Sequence, residues 1–111
     1  MKKISLLIAL FSSLISLAQM ANDKATISGQ LSDFETGGTP LAFATVELIG
    51  TDKSTTTDLD GTFTIAGVEP GTYRLKVRFL GYQDLNTEEV YLEAHKTKNL
   101  SYSLKAKNIS L

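Results

Sequence analysis

Apolar side chains recur at every second position through most of this chain, and that spacing allows strands and little else. Residues 72–79 are the clearest case: Tyr73, Leu75, Val77 and Phe79 alternate with Thr72, Arg74, Lys76 and Arg78. The same pattern places Ala25, Ile27, Gly29 and Leu31 on one face, with Thr26, Ser28 and Gln30 on the other. It runs again through Ala42, Ala44, Val46 and Leu48, through Phe63 and Ile65, through Val90, Leu92 and Ala94, and through Leu100, Tyr102 and Leu104. β-Branched threonine is dense over residues 53–57, which marks a weaker seventh strand. A helix needs apolar residues three and four apart, and none of these segments supplies them.

Turn residues fall between the runs. Gly37-Gly38-Thr39-Pro40, Gly50-Thr51-Asp52, Asp58-Leu59-Asp60-Gly61, Glu69-Pro70-Gly71 and Gly81-Tyr82 each separate two alternating segments. Pro70-Gly71 suits the two centres of a type II turn, and Gly61 suits a residue with positive φ. Strands at this spacing, joined by tight turns, point to an antiparallel sandwich. A parallel sheet joined by crossover helices is not expected, because no segment is available for the helices. Residues 72–79 should lie centrally, with Phe79 among the buried side chains.

The chain begins differently. Lys2 and Lys3 precede an apolar stretch over residues 4–17, and Ser16-Leu17-Ala18 then offers small residues at the first and third places. This three-part pattern is that of a secretory signal peptide, with cleavage expected after Ala18. As a helix the stretch reaches about 21 Å, short of a hydrocarbon core about 30 Å thick, and Ser12, Ser13 and Ser16 weaken it further as a membrane anchor. Losing Lys2 and Lys3 leaves 9 basic against 12 acidic residues, a net of −3. The organisation expected is a signal over residues 1–18, a tether over 19–24, a sandwich over 25–106 and the start of a linker over 107–111.

Charge and cysteine content exclude several functions. With no basic surplus, nucleic acid is not an expected partner. The absence of Cys from all 111 residues excludes disulfides, thiolate metal sites, Cys nucleophiles and lipid attachment through an N-terminal Cys. An exported chain without Cys fits a bacterial envelope at least as well as a eukaryotic secretory route, and in a bacterium the glycosylation patterns at Asn99 and Asn108 carry no meaning.

Three groups of residues could carry chemistry. Asp58 and Asp60 with Gly61 resemble the middle of an EF-hand loop, but Thr56 and Gly67 then stand where its first and last acids belong. A turn in which Asp binds nearby amides is the better reading. Arg74, Lys76 and Arg78 form a basic row, expected to pair with acids on neighbouring strands such as Glu89 or Glu93. His95 is the single histidine, so a zinc site lacks its other ligands, and no G-x-S-x-G nucleophile turn is present. A hydrolase has only His95 in its favour. No catalytic, cofactor-binding or metal-ligating residue is assigned.

The order of the segments resembles one family. Ile27-Ser28-Gly29-Gln30-Leu31 is followed by Pro40-Leu41-Ala42-Phe43-Ala44-Thr45-Val46-Glu47-Leu48 and Gly50-Thr51. Then come Asp58-Leu59-Asp60-Gly61-Thr62-Phe63, Pro70-Gly71-Thr72-Tyr73-Arg74-Leu75 and Phe79-Leu80-Gly81-Tyr82. This series is similar to the carboxypeptidase regulatory-like domain. The resemblance implies a seven-stranded, transthyretin-like Greek-key β-sandwich without catalysis or cofactor. The zinc ligands of the neighbouring peptidase domain have no counterpart here. A signal peptide directly ahead of such a domain resembles the N-terminal extension of TonB-dependent outer-membrane receptors of Bacteroidetes-type bacteria. That setting implies a periplasmic location, and as partner an envelope protein or a covalently following plug and barrel. The other expectation kept open is a free-standing exported module that binds a small ligand or glycan.

Overall fold

The computed structural model describes residues 23–107. The expected signal peptide, the first part of the tether and residues 108–111 lie outside the described residues. Nine strands follow one another: β1 (Ala25–Asp33), β2 (Thr45–Leu48), β3 (Ser54–Thr56), β4 (Thr62–Val68), β5 (Gly71–Tyr73), β6 (Leu75–Arg78), β7 (Leu85–Asn86), β8 (Val90–Leu92) and β9 (Thr97–Leu104). They form sheets in the orders β4-β1-β9 and β3-β2-β6-β7, with β5-β8 as a separate ribbon. The all-β sandwich expected from the alternation is what the chain forms.

Each of the seven expected strands has a counterpart, and nine arise for two reasons. The segment over residues 72–79 divides at Arg74. Its first part pairs with β8, with Thr72 opposite Tyr91, and its second pairs with β2, with Val77 opposite Val46. One alternating run therefore serves both layers, and its second half, β6, lies inside the four-stranded sheet as expected. The two-residue β7 is too short to show a period.

One pairing departs from the antiparallel expectation. β1 and β9 run parallel, in register from Thr26 opposite Thr97 to Asp33 opposite Leu104. No crossover helix is needed, because nearly the whole domain is the crossover. As a result the chain enters at one end of the sandwich and leaves at the other.

The Pro70-Gly71 bend also differs. It does not close a hairpin, since β4 belongs to one sheet and β5 to another ribbon. Gly71 has φ 155°, far from the roughly +80° of a type II turn. The bend is tied by the Tyr73 hydroxyl, which donates to the Glu69 carbonyl at 2.8 Å.

The core follows the alternation. Ile27, Leu31, Val46, Leu48, Leu75, Val77, Leu92 and Leu104 are fully buried between the layers. The glycine in the middle of Ile27-Ser28-Gly29-Gln30-Leu31 has a packing cause. Gly29 lies opposite Phe63, and a Cβ there would come within 2.3 Å of the Phe63 ring. The ring fills the space that a β1 side chain would otherwise take. Phe79, expected inside, is only half-buried against the core, because it follows β6 at the start of the next turn.

Candidate functional site

The Asp58 turn is built from its own side chain. Asp58 Oδ1 accepts the Asp60 and Thr62 amides at 2.9 and 3.0 Å, and Oδ2 accepts the Thr62 hydroxyl. The Thr62 hydroxyl, with the amides, holds the Asp58 carboxyl below its ordinary pKa. Both carboxylate oxygens are thus engaged within the turn, as the reading of a turn rather than a calcium loop anticipates. Gly61 has the expected positive φ, 75°, and a second constraint as well: a Cβ would lie 2.5 Å from the Leu31 carbonyl oxygen.

The basic row is partly paired. Arg78 reaches Glu47 at 3.1 Å and Arg74 approaches Glu89 at 3.8 Å. Glu93, the other acid considered, pairs instead with Lys96 at 2.8 Å, three residues along the β8–β9 turn. All are exposed, so each contributes at most about 1 kcal/mol. His95 is exposed and places Nε2 2.7 Å from Asp23 Oδ1. Its amide donates to the Lys24 carbonyl at 3.2 Å, and Lys24 pairs with Glu69. His95 therefore helps hold the described part of the tether against the domain.

The opposite end of the sandwich contains a site that the sequence reading missed. Asp33 continues the inward parity of β1 and is buried, an acid where alternation calls for an apolar residue. Its Oδ1 accepts the Glu35 and Thr36 amides at 2.7 and 3.0 Å, and its Oδ2 accepts the Tyr82 hydroxyl. The Tyr82 bond, aided by the amides, lowers the Asp33 pKa, and the same bond raises that of Tyr82. The parity of Asp33 was the available signal. Around it the chain is tied where it leaves the fold: the Gln83 amide donates to Lys105 and the Lys107 amide to Gly81, at 2.8 and 2.9 Å. Residues 105–107 are thus bonded to the turn after β6.

Thr57 is the second missed residue. Buried between the layers, its hydroxyl donates to the Leu41 carbonyl at 2.6 Å and accepts the Ala44 amide at 2.9 Å. These bonds replace the ladder where residues 41–44, expected to be strand, turn instead. They hold Phe43 at φ 64°, uncommon for a bulky residue, with its ring 65% exposed. Leu80, at the next turn, is 97% exposed. Together with Phe79 and Lys107 they border an open depression of about 450 Å³. Among the described residues no group of three His, Asp or Glu side chains is placed to hold a metal ion. The side chains at this end can offer apolar contact and backbone hydrogen bonds, and no nucleophile with an activating base stands among them.

The motif order and this framework agree with the family comparison. A model of the carboxypeptidase regulatory-like domain matches residues 26–105. The chain belongs to that family. Among solved structures, it is similar to a chain of a type II cohesin–X–dockerin complex from Acetivibrio cellulolyticus, at 26% identity and a TM-score of 0.65. That match covers 78% of this chain and 61% of the other. The minor pilin GBS52 of Streptococcus agalactiae matches at 24% identity and a TM-score of 0.57, over 80% of this chain and 46% of the pilin. Catechol 1,2-dioxygenase of Acinetobacter radioresistens matches at 14% identity and a TM-score of 0.62, over 81% and 54% of the two chains. At such identity the pilin and the dioxygenase share the fold alone. This chain spans less than two thirds of each of these structures. No curated protein matches its sequence. Among the described residues no helix is long and apolar enough to cross a membrane.

Proposed function

We propose that this carboxypeptidase regulatory-like domain is a non-catalytic interaction module facing the periplasm, at the N-terminus of a TonB-dependent outer-membrane receptor. The observation that carries the reading is a regulatory-like domain directly behind a three-part export signal. The topology supports it. Parallel β1 and β9 send the chain in at one end and out at the other, as a module inserted between a leader and a following part requires. The similarity to a chain from a cohesin–X–dockerin assembly, at 26% identity, supports protein interaction as the kind of work done.

The competing reading is a free-standing exported module that binds a small ligand or glycan. The depression beside Phe43 and Leu80 favours it to the extent that it offers exposed apolar surface. Reading the gene past the Leu111 codon separates the two. The receptor reading expects an in-frame continuation into a TonB-contacting segment, a plug and a barrel. A stop codon followed by unrelated genes contradicts it and favours the free-standing module. Thermal-shift screening of glycans and small metabolites gives a second line: a tight hit moves the assignment to the binding module.

A further inference from the structure

β9 is an edge strand, and its backbone phase can be read from the bonds at its two ends. The Thr26 amide donates to the Lys96 carbonyl at 3.1 Å and the Phe34 amide to the Leu104 carbonyl at 2.9 Å. In a parallel ladder this phase turns the even-numbered residues of β9 toward β1 and the odd-numbered ones away. Thr97, Asn99, Ser101 and Ser103 therefore direct their N–H and C=O groups outward, where no described strand pairs with them. A row of unpaired groups of this length is a template for another strand.

The surface beside that edge is shaped and partly apolar. Lys98, Leu100, Tyr102 and Leu104 share the core face, since they stand opposite Ile27, Gly29, Leu31 and Asp33. β8 does not cover them fully. Between the two strands lies a groove of about 510 Å³, lined by Val90, Tyr91, Lys98, Leu100 and Tyr102 among others. A smaller depression of about 200 Å³ shares Tyr91 and Lys98 and extends it along β9. Tyr91 is 61% exposed above it.

Charge narrows the occupant. Residues 95–107 carry Lys96, Lys98, Lys105 and Lys107 and no acid. Lys96 is engaged by Glu93, and Lys105 lies 4.8 Å from the Phe34 ring centre. Lys98 forms no ion pair among the described residues, although it points to the core face. A lysine turned inward on an edge strand normally discourages pairing, because a partner must bury it. A partner strand with a carboxylate opposite Lys98 removes that penalty. A second copy of β9 brings only more lysines.

We propose that β9 and the adjoining groove receive an extended strand from a partner protein, with an acidic residue opposite Lys98 and small β-branched residues opposite Leu100 and Tyr102. This is recognition by strand addition, with affinity from the main chain and selectivity from alternate side chains. It rests on the reading of the domain as an interaction module and assigns that module a face.

The test uses the purified full chain and defined peptides. One probe has the sequence Thr-Glu-Thr-Val-Thr-Val-Thr, a second is its reversal, and a third replaces Glu by Lys. Amide chemical shifts and fluorescence anisotropy are recorded for the wild type, Ser101→Pro and Lys98→Glu. Proline at 101 removes only an outward N–H, and thermal melts establish that the variant folds. The expected result is binding of an acidic probe in one of its two orientations, with shifts centred on Thr97, Asn99, Ser101 and Ser103. Ser101→Pro should weaken it at least tenfold, and Lys98→Glu should reverse the preference toward the lysine probe. Equal binding of acidic and basic probes, absence of shifts on β9, or binding that survives Ser101→Pro overturns the inference. A dimer in sedimentation that Ser101→Pro abolishes also overturns it, in favour of a second copy. None of these results bears on whether the gene continues into a receptor, so failure of the groove and failure of the module reading remain distinguishable.

Discussion

Replacing Gly61 with Ala should destabilise the domain far more than the same replacement at Gly81. Both glycines have positive φ, 75° and 89°, so an L side chain at either costs about 1–2 kcal/mol in backbone conformation. At Gly81 an added Cβ meets nothing within 4 Å. At Gly61 it meets the Leu31 carbonyl oxygen at 2.5 Å and the Leu41 amide nitrogen at 3.0 Å. Those two atoms are hydrogen-bonded to one another at 3.1 Å, and the Gly61 carbonyl accepts the Leu31 amide at 2.8 Å. Backbone must therefore move, and it moves by loosening a bond that joins β1 to the segment after Pro40. Losing it adds about 1–3 kcal/mol. The total for Gly61→Ala is about 2–5 kcal/mol, against about 1–2 kcal/mol for Gly81→Ala. Valine at 61 should be worse, because β-branching adds a second atom to the clash. The assay is urea unfolding followed by tyrosine fluorescence and far-UV circular dichroism, since the chain has no Trp. Each kcal/mol should also lower Tm by roughly 4–8 °C. Equal losses at the two positions would refute the steric argument and leave conformation alone as the cause.

Tyr82→Phe should lower stability at neutral pH, and its gap to the wild type should close as pH falls. Asp33 is held below its ordinary pKa first by the Tyr82 hydroxyl, so its contribution is present above about pH 4 and lost as acid protonates it. Denaturant melts between pH 7 and pH 2 check this, and a constant gap counts against it. Thr57→Val keeps the shape but leaves the Leu41 carbonyl and the Ala44 amide without their buried partner. A loss of about 2–4 kcal/mol is expected in the same melts. Phe79→Ala should cost about 1–3 kcal/mol, less than Leu75→Ala at about 2–5 kcal/mol, because Phe79 is half-buried and Leu75 fully so. Intact-mass measurement of exported material should show Gln19 as the first residue; retention of Met1 in a membrane fraction contradicts cleavage after Ala18.

Much of the fold was legible because its cause is local. Alternation fixed which side chains of β1, β2, β4 and β6 face inward, and burial follows it from Ile27 to Leu104. The turn at Asp58 was legible too, since its hydrogen bonds lie within four residues. What stayed hidden depends on contacts distant in sequence. The parallel β1–β9 pair joins the two ends of the domain, and no local pattern encodes it. The division at Arg74 leaves the alternation of residues 72–79 intact while the pairing partner changes. Asp33 and Tyr82 meet across 49 positions of chain, and only the misplaced polarity of Asp33 in the β1 pattern hinted at it. Phe43 gave no hint, because a left-handed backbone angle at an aromatic residue is imposed by Thr57 rather than chosen by Phe43.

The account's central claim is that this domain works as the front module of a larger envelope protein rather than as a small binding protein by itself. Immunoblotting of fractionated cells of the encoding organism, with an antibody against the sandwich, tests it most directly. The account expects a single large species in the outer-membrane fraction, with the domain digested by protease only after the periplasm is opened. A small soluble species in the periplasm, of the mass expected for the chain from Gln19 to Leu111, would contradict it.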